Sequence, residues 1–579
     1  MTTESTKRSL WRRIVDIAKP FWFSREPWTV RIPVVGTQFT LQEKWKARGL
    51  LALLALFLFS VNMLNVSINF VAGRYQDALQ AMDADTYWYY LFVYAGVFVV
   101  GTPIVVFYSF IRDKLSVVWR KWLTEHLLTK YFANRAYYKV NNDAHIDNPD
   151  ERIANDISGF VGGTLSLALA IVDSILTFCS FITILWMISP KLVGVVSAYA
   201  LIGSVITILL SFRLIKLNYN QQRLEADYRY NLIHVRNNVE SIAFYQGEAH
   251  ESMGVRRRFA EAIKNYNFLI GWQRNVSMFT TGYNYMVIIV PALVIAPMYF
   301  AGTVKLGAFT QASLAFSQVL AALSIVVSEV RGISSLVAYV NRLGGFLDAI
   351  DRPSICDMPG NSRIESRIGD DVALEKLTLQ TPNYERTLVT DLDMTVAKGT
   401  GALIKGPSGS GKSSILRGIA GLWRSGQGTI VHPAIEDMMF LPQRPYMVLG
   451  SLREQMLYPS MRTDITDAEI VALLKQVNLG NLPERFAGGF DAIMPWADTL
   501  SLGEQQRVAF IRLLLSRPKY AILDEATSAL DVANEEKLYK MLQESGTTFV
   551  SVGHRPTLDK YHKQTLTLDG IGGWELSSN

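Results

Sequence analysis

Gly406-Pro407-Ser408-Gly409-Ser410-Gly411-Lys412-Ser413 reads as G-x-x-x-x-G-K-S, set between an apolar strand, Ala402 to Lys405, and a helix expected from Ser414 to Ala420. Strand, glycine-rich loop and helix in that order are the context this motif requires. The glycines let backbone N–H groups close around phosphate oxygens, and the helix N-terminus adds the positive end of its dipole. Lys412 is placed to reach the β- and γ-phosphates of a nucleotide and Ser413 to ligate Mg²⁺, with Ser414 beside them in the phosphate cradle. This part of the chain is therefore expected to be a phosphate-binding α/β domain. What the nucleotide's energy drives is left open by the loop alone.

Further along, Tyr520 to Leu523 form an apolar strand that ends in two carboxylates, Asp524 and Glu525. Asp524 is placed to hold Mg²⁺ through water, and Glu525 to serve as the general base for an attacking water. The segments around this strand then narrow the reading. Leu500-Ser501-Leu502-Gly503-Glu504-Gln505-Gln506-Arg507 resembles the signature sequence of ABC ATPases, and Ala526 to Asp531 resembles their D-loop. Gln443, within Leu441 to Pro445, matches the Q-loop. His554, just past an expected strand from Thr547 to Val552, matches the H-loop.

On these motifs the chain resembles the ABC family. The resemblance implies a hydrolysing ATPase with ATP and Mg²⁺ as cofactors, in which Gln443, Lys412 and His554 join Glu525 in catalysis and Gln443 also lies at the metal. It implies two nucleotide domains closing head to tail. ATP on Lys412 of one copy would then meet Leu500, Ser501, Gly503, Glu504 and Gln505 of the other, with Asp531 in the D-loop between them. A serine hydroxyl and the amides opening a helix expected over Gln505–Leu515 suit a γ-phosphate. The sequence departs from the family pattern at Leu502, where glycine is common, and at Glu504, where glutamine is common. Thr381 occupies the usual place of the adenine-stacking aromatic, so Tyr384, the nearest aromatic, is taken for that role.

Upstream the composition changes. Six apolar runs near the ~20 residues needed to cross a bilayer lie at 50–72, 88–111, 160–188, 191–213, 277–300 and 307–330. The connections alternate between short ones and two long basic ones, Arg112 to Gly159 and Arg213 to Arg274, the second carrying Arg256, Arg257 and Arg258. Under the positive-inside rule this places both termini and both long loops in the cytosol. The same distribution accounts for the net charge of +6, so no nucleic-acid partner is expected. Short outer turns and long inner helices resemble the exporter-type ABC fold. Cys179 and Cys356 have neither metal-ligand spacing nor a disulfide framework.

Two features of this part carry alternatives. Leu10, Ile14 and Ile17 share one face of a helix over residues 9–19, suited either to the membrane interface or to packing on the protein's own loops; an extended segment, Arg31 to Leu41, follows. Asn62, Asn65 and Asn69 share one face of the first span. Amides facing lipid are costly, so this face looks toward a wet cavity, the preferred reading, or toward another helix.

The expected organisation is multi-domain. An N-terminal interfacial segment (1–45) precedes an all-α, six-helix transmembrane domain of the ABC exporter type (46–345), a linker (346–370) and an α/β P-loop NTPase domain (371–579). Several blocks resemble subfamily D, the peroxisomal fatty-acyl and lysosomal cobalamin transporters, and its bacterial SbmA/BacA-like relatives. These are Pro442 to Tyr446, Gly450 to Gln455, Leu457 to Pro459, Ile146 to Asp150, Arg152 to Asp156, Glu225 to Arg229 and Glu240 to Tyr245. The blocks before residue 250 are candidates for short helices that pass on closure of the nucleotide domains, or else caps and turns.

The resemblance implies a homodimeric half-transporter, with a different half-transporter as the alternative partner. It would move a bulky amphipathic or hydrophilic solute such as cobalamin, a peptide or a fatty acyl compound, with import preferred. Export of a lipid or drug-like substrate, and an ATP-gated channel or regulator, are the rivals. A bacterial cytoplasmic membrane is the first choice of location and an organelle membrane the second, with lipids and the solute as the remaining partners.

Overall fold

The computed structural model describes residues 9–25, 27–31, 38–141, 146, 148–325, 329–352, 360–460 and 464–578. The chain divides into two compact units, Met1–Arg352 and Pro353–Asn579.

The first unit opens with helix α1 (Leu10–Trp22), capped by the Ser9 hydroxyl, which accepts from the Arg12 N–H. Ile17 and Phe21, one turn apart, are buried, and Phe21 stacks on Trp119 at 5.6 Å between centroids. This side of α1 therefore packs on the protein's own helices, while Trp11 stays 72% exposed. Strands β1 (Pro27–Arg31) and β2 (Gln38–Gln42) pair antiparallel, so the expected extended segment is represented at both ends.

Among the described residues, six helices are long and apolar enough to cross a membrane. They are α2 (Glu43–Gln80), α3 (Ala84–Phe132), α4 (Ile157–Ile188), α5 (Pro190–Asn237), α6 (Glu248–Phe300) and α7 (Leu306–Leu323). Asp83 caps α3 by accepting from the Thr86 N–H at 3.1 Å. Pro190 sits in the first turn of α5, where its missing N–H has no helical partner to lose. The apolar runs end well inside these helices, so α3, α5 and α6 continue through the polar stretches that separate the spans. At 1.5 Å per residue, the part of α3 beyond Ile111 alone reaches about 30 Å.

Two boundaries differ from expectation. The sixth span closes at Leu323, before residue 330, where the Ser324 N–H returns to the Leu320 carbonyl. Residues 346–351, expected in the linker, belong to helix α8 (Val330–Asp351). Its Leu336, Val340, Leu343, Phe346 and Ala349 recur at helical spacing, and all are buried. They join the core built by α1, α3 and α4. The polar composition that suggested a linker is the other face of an amphipathic helix. Cys356 lies outside the described residues, and Cys179 is exposed.

The asparagines of α2 also resolve differently from the preferred reading. Asn62 is buried, donating to the Thr177 hydroxyl at 3.2 Å and accepting from Ser180 at 2.7 Å, both on α4. Asn69 is buried and donates to the Gln311 carbonyl of α7 at 2.9 Å. Both amides join helices instead of lining a cavity of this unit, because an interhelical partner satisfies the polar group that lipid cannot. Asn65 is half-buried.

Elsewhere α7 meets α2 closely. A Cβ on Gly307 would stand 2.1 Å from the Gly73 carbonyl oxygen, and the free N–H groups of Leu306 and Gly307 are capped by Gln80 and Asp77. Helices α5 and α6 are joined by Tyr199 and Tyr283, whose rings stack at 4.4 Å. Each hydroxyl donates to the other residue's carbonyl.

The second unit holds a six-stranded sheet in the order β12-β11-β6-β10-β9-β8 and a four-stranded sheet in the order β3-β7-β4-β5. These are β3 (Glu365–Ile368), β4 (Val372–Gln380), β5 (Thr387–Val396), β6 (Gly401–Lys405), β7 (Gly426–His432), β8 (Met438–Leu441), β9 (Tyr520–Asp524), β10 (Thr548–Val552), β11 (Gln564–Leu568) and β12 (Trp574–Ser578). Strands β11, β6, β10, β9 and β8 pair in parallel, and β12 closes one edge antiparallel. Every residue of β10 is buried, as a parallel strand covered on both faces requires.

Candidate nucleotide site

The glycine-rich loop leaves the end of β6, a central strand, and runs into helix α9 (Lys412–Ile419). Gly406, Gly409 and Gly411 have φ of 145°, 78° and 100°, a region open to glycine and strained for other residues. Lys412 is buried, and its Nζ donates to the carbonyls of Gly406 and Pro407 at 2.9 Å each. The ammonium is thereby folded over the loop that would hold phosphates. Ser413 donates to Asp524 Oδ1 at 2.9 Å. Burial pushes the Asp524 carboxyl above the ordinary carboxylate range, and the Ser413 bond partly offsets this. A hydroxyl beside a carboxylate is a hard-oxygen donor pair, the chemistry that fits Mg²⁺.

Glu525 follows β9 with φ of 48°, a left-handed conformation that is unusual for glutamate and marks a position held by its surroundings. Its N–H donates to the Val552 carbonyl at the end of β10. Gln443 Nε2 donates to Oε2 at 2.8 Å, and His554 Nε2 lies 3.3 Å from Oε1. The strand-end carboxylate is therefore gripped from both sides, and Gln443, Glu525 and His554 form one cluster.

The signature segment is placed differently from the sequence reading. Helix α12, so numbered after the short helices α10 (Leu452–Leu457) and α11 (Asp467–Gln476), begins at Leu502 and runs to Ser516. Ser501 is its N-cap, so Leu502 and Gly503 lie in the first turn, among the N–H groups a helix leaves unsatisfied. Ser501 and Glu504 form a reciprocal capping box, and Arg485 also pairs with Glu504. Burial pushes the Glu504 carboxyl up, but the bonds from Arg485 and Ser501 outweigh it, so its pKa lies below the ordinary value. Leu500 is buried, and Gln505 donates to the carbonyls of Ala497 and Leu500. These two and Glu504 thus have local structural bonds. A Cβ on Gly503 would approach the Ala529 carbonyl oxygen to 3.1 Å. Asp531 caps helix α13 (Val532–Glu544), accepting from the Asn534 N–H at 2.7 Å.

Tyr384 lies in the turn between β4 and β5, with φ of 61°. Its hydroxyl donates to the Ser362 carbonyl at 2.7 Å, which fixes the half-buried ring.

Three residues of the site escape the motif reading. Gln506 is fully buried and donates to the Gln443 carbonyl at 3.0 Å, while its Oε1 accepts from the Ala529 N–H at 3.0 Å. It joins the Gln443 loop to the segment after Glu525. Arg555 donates to the carbonyls of Leu530 and Ser528 and pairs with buried Glu535. Glu535 in turn accepts from Thr527 at 2.7 Å. A polar Gln on an apolar helix and an Arg beside His554 were the available signals.

Of the loop blocks in the first unit, Asp147 lies outside the described residues. Buried Arg152 donates to the Arg342 carbonyl, and Arg342 pairs with Asp156 at 2.9 Å and Glu151 at 3.3 Å. This block therefore ties α8 to the start of α4. A short helix, Val239–Tyr245, leaves Phe244 and Tyr245 exposed by 81% and 86%. Between α5 and α6, where their apolar runs end, an open groove of about 450 Å³ is lined by Arg213, Trp272, Arg274, Asn267 and Asn275 among others. The Arg213 guanidinium lies 4.8 Å from the centre of the Trp272 ring.

Residues 39–300 match the family model described as ABC transporter transmembrane region 2, and residues 389–528 match the one described as ABC transporter. An ABC transporter ATP-binding protein of Synechocystis is 49% identical over 97% of this chain and 88% of its own length. The chloroplastic ABC transporter D family member 2 of Arabidopsis thaliana is 37% identical, with 97% and 87% covered. The human lysosomal cobalamin transporter is 31% identical, with 92% and 93% covered. A bacterial Atm1-family ABC exporter solved with ATP bound shares the fold, with a TM-score of 0.72 at 19% identity over 92% of this chain and 96% of that one.

Proposed function

Because the chain belongs to the ABC transporter family, with D-family members among its relatives, and so couples ATP hydrolysis to transport, we propose that two copies of it form a homodimeric importer of a bulky amphipathic solute. The observation that carries the catalytic part is the grip on Glu525. Gln443 and His554 hold both carboxylate oxygens, so the group is oriented before a water arrives. Glu525 accepts that water's proton, and His554 and Gln443 keep its carboxylate in line. Lys412, already poised over the loop, turns its ammonium to the β- and γ-phosphates. Mg²⁺, when bound with ATP, supplies charge neutralisation on those phosphates, held by Ser413 and Asp524 with Gln443 nearby. Tyr384 is the adenine platform.

The first turn of α12, with Ser501 and Gly503, faces the γ-phosphate of the partner's ATP, so one copy alone has an incomplete site. Closure over two ATPs shifts the membrane units between two states, and hydrolysis resets them. The basic loops support a cytosolic position for the ATPase unit and both termini, in a bacterial cytoplasmic membrane. The groove at the ends of the apolar runs, lined by Phe268 and Trp272 as well as by arginines and asparagines, supports an amphipathic solute.

Glu525→Gln is the sharpest test. Turnover is expected to fall by about 10²–10⁴-fold, the contribution of a positioned base, while ATP binding persists and trapped nucleotide accumulates in a closed dimer. Undiminished turnover would remove Glu525 from the base role, and trapping by a lone copy would overturn the paired site. ATP-dependent accumulation of cobalamin, peptides or acyl-CoA in sided vesicles then reads solute and direction together. Outward movement of lipid or drug-like compounds would favour an exporter, and turnover without movement of any solute a regulator.

A further inference from the structure

We propose that Asp173, in the middle of α4, is the counter-charge for a cationic group on the transported solute; this names a chemical feature of the solute and rests on the transporter reading above. Across 50–72, 88–111, 160–188, 192–212, 277–300 and 307–323, the interiors of the six apolar runs, Asp173 is the one charged residue. A carboxylate at that depth is costly and persists where it meets water, a cation or another functional group.

The surroundings say which. Asp173 is half-buried, and among the described residues its carboxylate has neither a hydrogen bond nor a salt bridge. Tyr108 of α3 is its electrostatic neighbour, and the nearby Arg112 is engaged by Asp113 at 3.0 Å. One and two turns along the same face of α4, Thr177 and Ser180 are occupied by Asn62. The polar seam between α2 and α4 is thus satisfied by its own members up to Asp173, where it ends in an unmatched negative charge. Leu169 and Leu176, about one turn away on the same face, are half-buried, and the neighbouring Val172 is exposed, so the carboxylate stands among apolar side chains. An ammonium or guanidinium group beside an apolar body complements that arrangement, and the low dielectric strengthens the pair.

The test uses three end-blocked apolar octapeptides, identical except for Lys, Gln or Glu at one central position, as stimulators of ATP turnover by the full-length protein in liposomes. For the native protein the Lys peptide is expected to act at about ten-fold lower concentration than the Gln peptide, as for a close charge pair. Asp173→Asn should level the peptides, Asp173→Glu should keep the Lys preference, and Asp173→Lys should move it to the Glu peptide. That last change is a gain no misfolded variant can mimic. Equal responses from the native protein, nil included, overturn the proposal, as does a Lys preference that survives in Asp173→Asn. A carboxylate kept neutral by a proton would give the equal responses. Failure of the transporter reading shows separately, as ATP turnover without accumulation of any solute, whatever the charge preference.

Discussion

The two units use polar side chains in opposite ways. In the ATPase unit, the groups that carry chemistry stand where strands end: Lys412 and Ser413 after β6, Asp524 as the last residue of β9 with Glu525 next to it, His554 after β10. Buried parallel strands fix the backbone up to those points, and loops then release side chains toward a common space. In the membrane unit the polar groups lie within helices, and several of them hold helices together. Asn62 bridges to α4, Asn69 to α7, and Asp77 and Gln80 cap α7. The first unit still exposes large apolar side chains such as Phe92 at 70%, Val99 at 74% and Leu293 at 71%. A helix bundle with apolar outer faces draws little cohesion from burying them, so close approach and interhelical hydrogen bonds take over.

This contrast can be tested from either side. The largest effect is expected where helix backbones nearly touch. Gly307→Ala places a Cβ 2.1 Å from the Gly73 carbonyl oxygen, so α7 must move away from α2 at a cost of about 3 kcal/mol, the upper end for overpacking. Thermal unfolding in detergent checks this, and an unchanged midpoint would mean that the contact is not what holds α7.

In the ATPase unit, Gln506→Leu leaves the Gln443 carbonyl and the Ala529 N–H without their partner, a loss of about 1–3 kcal/mol. Since Gln506 positions the loop that carries Gln443, kcat is expected to drop by about ten-fold, the order of a kilocalorie or more of misplacement, with KM for ATP little changed. A matched rise in KM would show that Gln506 supports binding instead. The smallest effect belongs to Asn62→Ala. Removing its two bonds to α4 is expected to cost about 0.6–1.7 kcal/mol, as interhelical bonds in membranes do. Its substrate preference should stay native if the residue is glue, and should shift if Asn62 is a solute contact.

Legibility followed the same division. The glycine loop was readable because phosphate binding demands glycine at positions with positive φ and a lysine just after them. Glu525 and His554 were readable because an apolar strand that stops at a polar residue points to a strand end. Gln506 follows Gln505 within the signature segment, yet its role depends on which loops come to meet it. Residues 346–351 read as linker because composition averages over a helix whose Phe346 and Ala349 are buried. The asparagine stripe was seen, but its partners Thr177, Ser180 and Gln311 lie more than a hundred residues away.

By itself, then, the sequence determined that six apolar helices precede an ATPase whose loop, strand-end acids and histidine occur in family order, because local backbone demands and hydropathy act over short stretches. Only the tertiary structure decided that Ser501 caps α12, that Glu525 sits in a left-handed conformation between Gln443 and His554, and that Asn62 and Asn69 join helices. The last two depend on partners distant in the chain, and the first on where the helix begins. A side chain's type shows what it can bond to, whereas the packed fold settles which candidate comes within hydrogen-bonding distance.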